Sequence, residues 1–127
     1  MYKKKIFDCA TFYDENLLIN SRFEILDEVV DYFIIVESKY DHRGKEKKIN
    51  FKLLNPKFKN KVRYILIEEN FPNTKNGWEM ESFQREKITS ALYDATDDDL
   101  IMYSDSDEIP NPITLKNLDL NKKYGIF

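Results

Sequence analysis

Asp105 and Asp107, separated by one residue at the end of an apolar run, are the side chains whose type and spacing could do chemistry. Leu100, Ile101, Met102 and Tyr103 before them predict a short buried strand of a parallel sheet. Open α/β sheets bind substrates at such strand ends. In extended backbone Asp105 and Asp107 point to one face, and Ser106 and Glu108 to the other. Two carboxylates placed together repel, which raises the proton affinity of the pair unless a cation neutralises them. A hard divalent ion with oxygen ligands meets that need. An isolated Asp-x-Asp also suits a solvated acidic turn, since aspartate favours turns. The apolar run in front of it favours a site.

Three chemistries put acids in this pattern. The calcium loop of an EF-hand requires an oxygen ligand at its fifth position and glycine at its sixth, and here Ile109 and Pro110 stand there. A phosphatase that forms an aspartyl-phosphate carries Thr or Val two residues beyond the second aspartate, with lysine and further acids downstream. Ile109 fits that poorly, and few residues follow Glu108. The Asp-x-Asp of nucleotide-sugar glycosyltransferases, where a divalent ion bridges carboxylates and a donor diphosphate, conflicts with nothing local.

The elements that must position these acids follow from hydrophobic periodicity. Ile6 to Cys9 predicts a strand, and Asp14 a cap for a helix with Ile19, Phe23, Leu26 and Val30 on its buried side. Tyr32 to Val36 predicts a central strand covered on both faces, ending at Glu37. Ser38 to Lys48, with His42 and Gly44, reads as a loop. Phe51, Leu53 and Leu54 before Pro56 mark a short buried segment, with a helical turn around Phe58. Val62 to Ile67 predicts a strand, Glu68 to Gly77 a loop, and Trp78 to Ala95 a helix whose apolar side holds Ile88, Ala91, Leu92 and Ala95. Projected backwards, that side carries Gln84 and Glu81, polar groups that need partners if buried. Arg85 stands four residues after Glu81 and could simply pair with it. Asp97, Asp98 and Asp99 read as a solvated turn, and Asn111 with Pro112 as the cap and first position of a helix through Leu115 and Leu118. The pattern is an α/β domain with a largely parallel sheet and flanking helices, one domain over residues 1–127.

Composition supports a folded globule: 42% of residues are hydrophobic and 14% aromatic. The single cysteine, Cys9, excludes an internal disulfide and a thiolate zinc site, and reads as a small buried residue. No signal-peptide pattern follows Met1 and no apolar segment reaches membrane-spanning length, so a soluble, cytoplasmic chain is expected. The net charge of -3 conceals an asymmetry: residues 1–67 carry 14 Lys and Arg against 10 acids, and residues 68–127 carry 6 against 13. The basic run from Lys39 to Lys61 comes with no nucleic-acid motif, so its expected role is to attract an anionic substrate rather than nucleic acid. Sixteen Lys against four Arg suit an AT-rich genome, pointing to a bacterial or viral source.

Four segments in order, Asp8-Cys9-x-Thr11-Phe12, the DYFIIVES of Asp31 to Ser38, the Trp78-x-x-x-x-Phe83-Gln84-Arg85 segment and the SDSDEIP of Ser104 to Pro110, resemble glycosyltransferase family 17. Gly44 and Lys45 match as well, whereas Ala10 and Ser106 depart from the family pattern. The resemblance implies a GT-A-like fold that binds a nucleotide-diphospho-sugar. It implies an inverting transfer of N-acetylglucosamine, or a related sugar, from a UDP-sugar to a glycan acceptor with a manganese or magnesium ion. By resemblance, Asp105 and Asp107 hold the metal, and Thr11, Phe12, Glu37, Arg85 and Asp105 line the donor pocket. The catalytic base is unassigned. Lys122 to Phe127, the last residues of the chain, look like a strand just beginning, so truncation at the C-terminus is expected. The alternative is a non-catalytic nucleotide-sugar-binding module that lacks the acceptor half.

Overall fold

The computed structural model describes residues 4–40, 45–68 and 77–116, with side chains from 83 onward in the last stretch. Its elements run β1 (Ile6–Phe12), α1 (Asn16–Leu26), β2 (Tyr32–Ser38), a 3-10 turn (Pro56–Phe58), β3 (Val62–Ile67), α2 (Gly77–Ser90), β4 (Leu100–Asp105) and α3 (Pro112–Lys116). The strands form one sheet in the order β3-β2-β1-β4, and every pairing is parallel. The expected α/β architecture with a parallel sheet and flanking helices is therefore what the chain adopts. β1 is paired on both sides and runs three residues past Cys9, to Phe12.

Alternation along the strands divides the core into two layers. Ala10, Phe12, Phe33, Ile35 and Met102 pack with Ile19, Phe23 and Leu26 of α1, together with Phe58 and Leu115. Phe7, Cys9, Ile34, Val36 and Ile67 pack on the opposite face with Ile88 of α2 and with Ala91 just beyond it. β2 thus buries both faces, as its unbroken apolar run predicts, and each fully buried aliphatic or phenylalanine side chain contributes about 1.5–3 kcal/mol. Phe23 touches three other rings, with centroids 4.8 Å from Phe33, 5.9 Å from Phe58 and 6.5 Å from Phe51. Cys9 is buried, and burial first, then the neighbouring Asp8 charge, push its thiol up to about 12, so it is an inert core residue.

Five local expectations change. Val30 is buried, as expected, but lies beyond α1, which ends at Leu26. Asp14 does not cap α1: Glu15 occupies that position, with no side-chain bond to the helix, and its Oε2 instead accepts from the Tyr13 and Asp14 amides. The helix read as Trp78 to Ala95 ends at Ser90. Thr89 and Ser90 turn their hydroxyls onto the Arg85 and Lys87 carbonyls. The chain then continues in turns that let Asp94 form a two-pronged pair with Arg63 at 2.8 Å, while Ala91, Leu92 and Ala95 still pack on the sheet. Leu54 is exposed, although Phe51 and Leu53 pack as expected. Asp99 is not merely solvated, since its carboxylate accepts from the amides of Lys5 and Thr96 and so ties the entry of β4 to β1. His42, Gly44, the loop beyond Glu68, the Glu81 side chain, Leu118 and Lys122 to Phe127 lie outside the described residues.

The chain adds β2 and β3 on one side of β1 and then returns to place β4 on the other. That reversal makes the carboxyl ends of β1 and β4 the topological switch point, the place where open α/β sheets bind their ligands. Thr11 stands opposite Asp105 in the register of those two strands.

Candidate functional site

The apolar part of β4 carries the chain to the switch point, and a tight turn then gathers the acids. The Glu108 amide donates to the Asp105 carbonyl at 3.0 Å, closing a four-residue turn over Asp105 to Glu108. Strand alternation therefore stops at Asp105. Glu108 does not point away, as extended backbone predicts, but folds back so that its Oε1 accepts from the Asp105 amide at 3.1 Å. Asp105, Asp107 and Glu108 are all exposed, and each offers a carboxylate oxygen within 4.8 Å of the others. Three converging oxygen donors fit a hard divalent cation such as manganese or magnesium, and Cys9 is too deeply buried to add a soft ligand.

Ser106 takes the opposite direction and is buried. Its hydroxyl donates to Glu15 Oε1 at 2.6 Å, which joins the turn after β4 to the loop after β1 across the switch point. Burial pushes the Glu15 carboxyl up, but hydrogen bonds from Ser106 and from the Asp14 and Glu15 amides outweigh it and hold the group below its ordinary value. Beyond the turn Asn111 Oδ1 accepts from the Ile113 amide at 2.8 Å, the cap expected for α3.

Beneath the acids lies a residue that the sequence reading passed over. Arg22 is wholly buried and forms a two-pronged ion pair with the equally buried Asp8, both contacts at 2.7 Å. Its remaining hydrogens reach the acidic turn: Nη2 donates to Ser104 Oγ at 2.6 Å, and Nη1 to the carbonyls of Glu108, Asp105 and Ser106 at 2.8, 3.2 and 3.4 Å. The signal was present in the sequence. Arg22 lies three residues after Ile19 and four before Leu26, on the stripe that must be buried, where a cation needs a partner.

The structure separates the residues expected to line a donor pocket. Thr11 is partly exposed beside Asp105, on the same face of the sheet. Arg85 is exposed on α2, and its guanidinium lies 5.4 Å from the centre of the Tyr103 ring, two residues before Asp105 on that face of β4. Phe12 points to the other face and is buried, with its ring edge-on to Phe51 at 5.5 Å.

Glu37 is enclosed: its oxygens accept from Lys47 Nζ at 2.6 Å, Tyr64 Oη at 2.7 Å and the amides of Asn50 and Phe51 at 2.8 and 3.2 Å. It therefore organises the 47–51 segment across the ends of β1 and β2 instead of joining the acid cluster. Asn16 and Asn20 continue that hold by bonding the main chain of Asn50, Lys52 and Leu54. Part of the basic run is structural, since Lys47 pairs with Glu37 and Lys61 with Asp27.

Burial pushes the Glu37 carboxyl up, but its hydrogen bonds from Lys47, Asn50, Tyr64 and Phe51 prevail and hold it below the ordinary value of 4.5. A group depressed in the fold stabilises above its unfolded value, and the contribution is lost as pH falls through the folded one. Glu37→Gln should therefore cost about 1–3 kcal/mol at neutral pH. The gap from wild type should narrow once the pH drops below 4.5. Urea titrations of both proteins across that range check it, and a gap that does not change with pH would contradict it.

The sequence profile of glycosyltransferase family 17 matches residues 1–126. This chain is a member of that family. Three similar curated proteins carry the name beta-1,4-mannosyl-glycoprotein 4-beta-N-acetylglucosaminyltransferase. The one from Rattus norvegicus is 29% identical over 118 residues, covering 84% of this chain and 22% of the relative. The one from Homo sapiens is 32% identical over 104 residues, 73% of this chain and 19% of the relative. The Mus musculus protein is 28% identical over 118 residues, 84% of this chain and 22% of the relative. The family 17 chain thus spans about a fifth of the length of these relatives. No solved structure matches it. Among the described residues, no helix is long and apolar enough to cross a membrane.

Proposed function

We propose that this family 17 chain binds the donor in a metal-dependent, inverting transfer of N-acetylglucosamine, or a related sugar, from a UDP-sugar to a glycan acceptor, on a GT-A-like fold. The observation that carries the reading is the convergence of Asp105, Asp107 and Glu108 at the β1/β4 switch point of a family 17 sheet. These three residues would hold a manganese or magnesium ion, which would offset the negative charge developing on the diphosphate leaving group. Thr11 lies beside Asp105 at the switch point, and Arg85 stands over the adjacent face of β4. An exposed guanidinium there suits the two-pronged recognition of a phosphate. Glu37 and Phe12 act behind this surface, by fixing the loops that border it.

A donor panel tests the reading. UDP-N-acetylglucosamine, UDP-glucose and GDP-mannose are each compared by saturation-transfer NMR with the purified chain and a diamagnetic magnesium ion. Binding of the UDP-sugars in preference to GDP-mannose, with the strongest signals on the acetamido sugar, is the expected result. No preference among the three would sink the assignment of the donor. Detection of sugar transfer by the same chain would dispose of the alternative that it is a binding module alone.

A further inference from the structure

Arg22 carries more than a salt bridge between α1 and β1. Its guanidinium has five N–H donors in a planar fork, and the Asp8 carboxylate takes only part of them. The rest are directed at Ser104 Oγ and at the carbonyls of three of the four residues of the acidic turn. Drawing those carbonyls inward onto one buried group fixes one peptide plane beside each acidic residue, after Asp105, before Asp107 and after Glu108. The Asp105, Asp107 and Glu108 side chains are correspondingly all exposed on the outer side of the turn. Asp8 already balances the charge of Arg22, so what the arginine supplies to the turn is geometry.

We propose that Arg22, oriented by Asp8, is a positioning residue that sets the spacing of the Asp105, Asp107 and Glu108 carboxylates for a divalent ion. This rests on reading those three acids as metal ligands. Groups that orient ligands from behind commonly govern metal affinity by roughly 10- to 100-fold. The Glu108 amide closes the turn and Ser106 ties it to Glu15, and Arg22 adds the one group that gathers three of its carbonyls against the mutual repulsion of the carboxylates.

The test uses manganese alone as the probe, with bound and free ion quantified by electron paramagnetic resonance in the purified 127-residue chain. Wild type is compared with Asp105→Asn/Asp107→Asn and with Asp8→Leu/Arg22→Met. Replacing a buried ion pair with apolar side chains of similar volume is often neutral, so the second variant should keep its circular dichroism, with a thermal midpoint lowered only by the lost bonds to Ser104 and the turn carbonyls. The proposal expects that variant to be folded and to bind manganese roughly 10- to 100-fold more weakly than wild type. A folded Asp8→Leu/Arg22→Met protein with wild-type manganese affinity overturns it. Should wild type bind no manganese, or the asparagine variant bind it equally well, the metal reading itself fails and the positioning role falls with it. If the apolar pair does not fold, Arg22→Lys decides instead, because lysine keeps the charge beside Asp8 but cannot span the three carbonyls. Weakened manganese binding in that folded variant supports the role, and wild-type binding rejects it.

Discussion

Asp105→Asn combined with Asp107→Asn is expected to abolish manganese-dependent binding of a UDP-sugar while leaving the fold untouched. Asparagine preserves the size of each side chain and one oxygen, but removes the charge on which affinity for a hard cation depends. Both residues are exposed, so the substitution strands no buried group. The turn itself is held from below, through the Glu108 amide and the Arg22 bonds to its carbonyls. Affinity should fall at least about a hundredfold, equivalent to about 2.8 kcal/mol. Titration calorimetry reads the affinity, and circular dichroism with thermal melting reads the fold. Equal affinity in the variant would remove Asp105 and Asp107 from the donor site.

Arg22→Ala is expected to cost about 3–5 kcal/mol of stability, the range for breaking a buried ion pair from one side. Truncation leaves the buried Asp8 carboxylate without its partner and takes a donor away from Ser104 Oγ and from the inward carbonyls of the turn. Against a total of about 5–15 kcal/mol, that loss would bring the domain close to unfolding. The midpoint of a guanidinium titration measures it. A shift equivalent to less than about 1 kcal/mol, the range for exposed pairs, would mean that the ion pair is not enclosed as described.

Most of the framework was legible because it rests on period and length. The unbroken run from Tyr32 to Val36 could only be a strand covered twice, and Val62 to Ile67 has the length and β-branched content of a strand. The stripe of Ile19, Phe23 and Leu26 located the face of α1. Local pattern cannot express the lateral order of strands, so the meeting of β1 with β4 emerges only from the structure.

The site was legible in part for a related reason. Alternation places Asp105 correctly at the strand end but fails beyond it, because the turn at Asp105 to Glu108 replaces a period of two and brings Glu108 into the cluster. Arg22 and Glu37 show what a pattern read along the chain leaves out. A charged residue on a buried stripe is a sequence signal that was passed over, whereas the enclosure of Glu37 depends on Lys47, Asn50 and Tyr64, which no spacing rule brings together.

The most direct measurement of the central claim is calorimetric titration of UDP-N-acetylglucosamine into the purified chain, once with manganese and once with chelator, with UDP as the control. Binding that appears with manganese and vanishes with chelator is the predicted result, and UDP should share it because the diphosphate is the group held against the ion. Absence of binding in both conditions, from protein shown to be folded, would contradict the assignment of the β1/β4 switch point as a metal-dependent donor site.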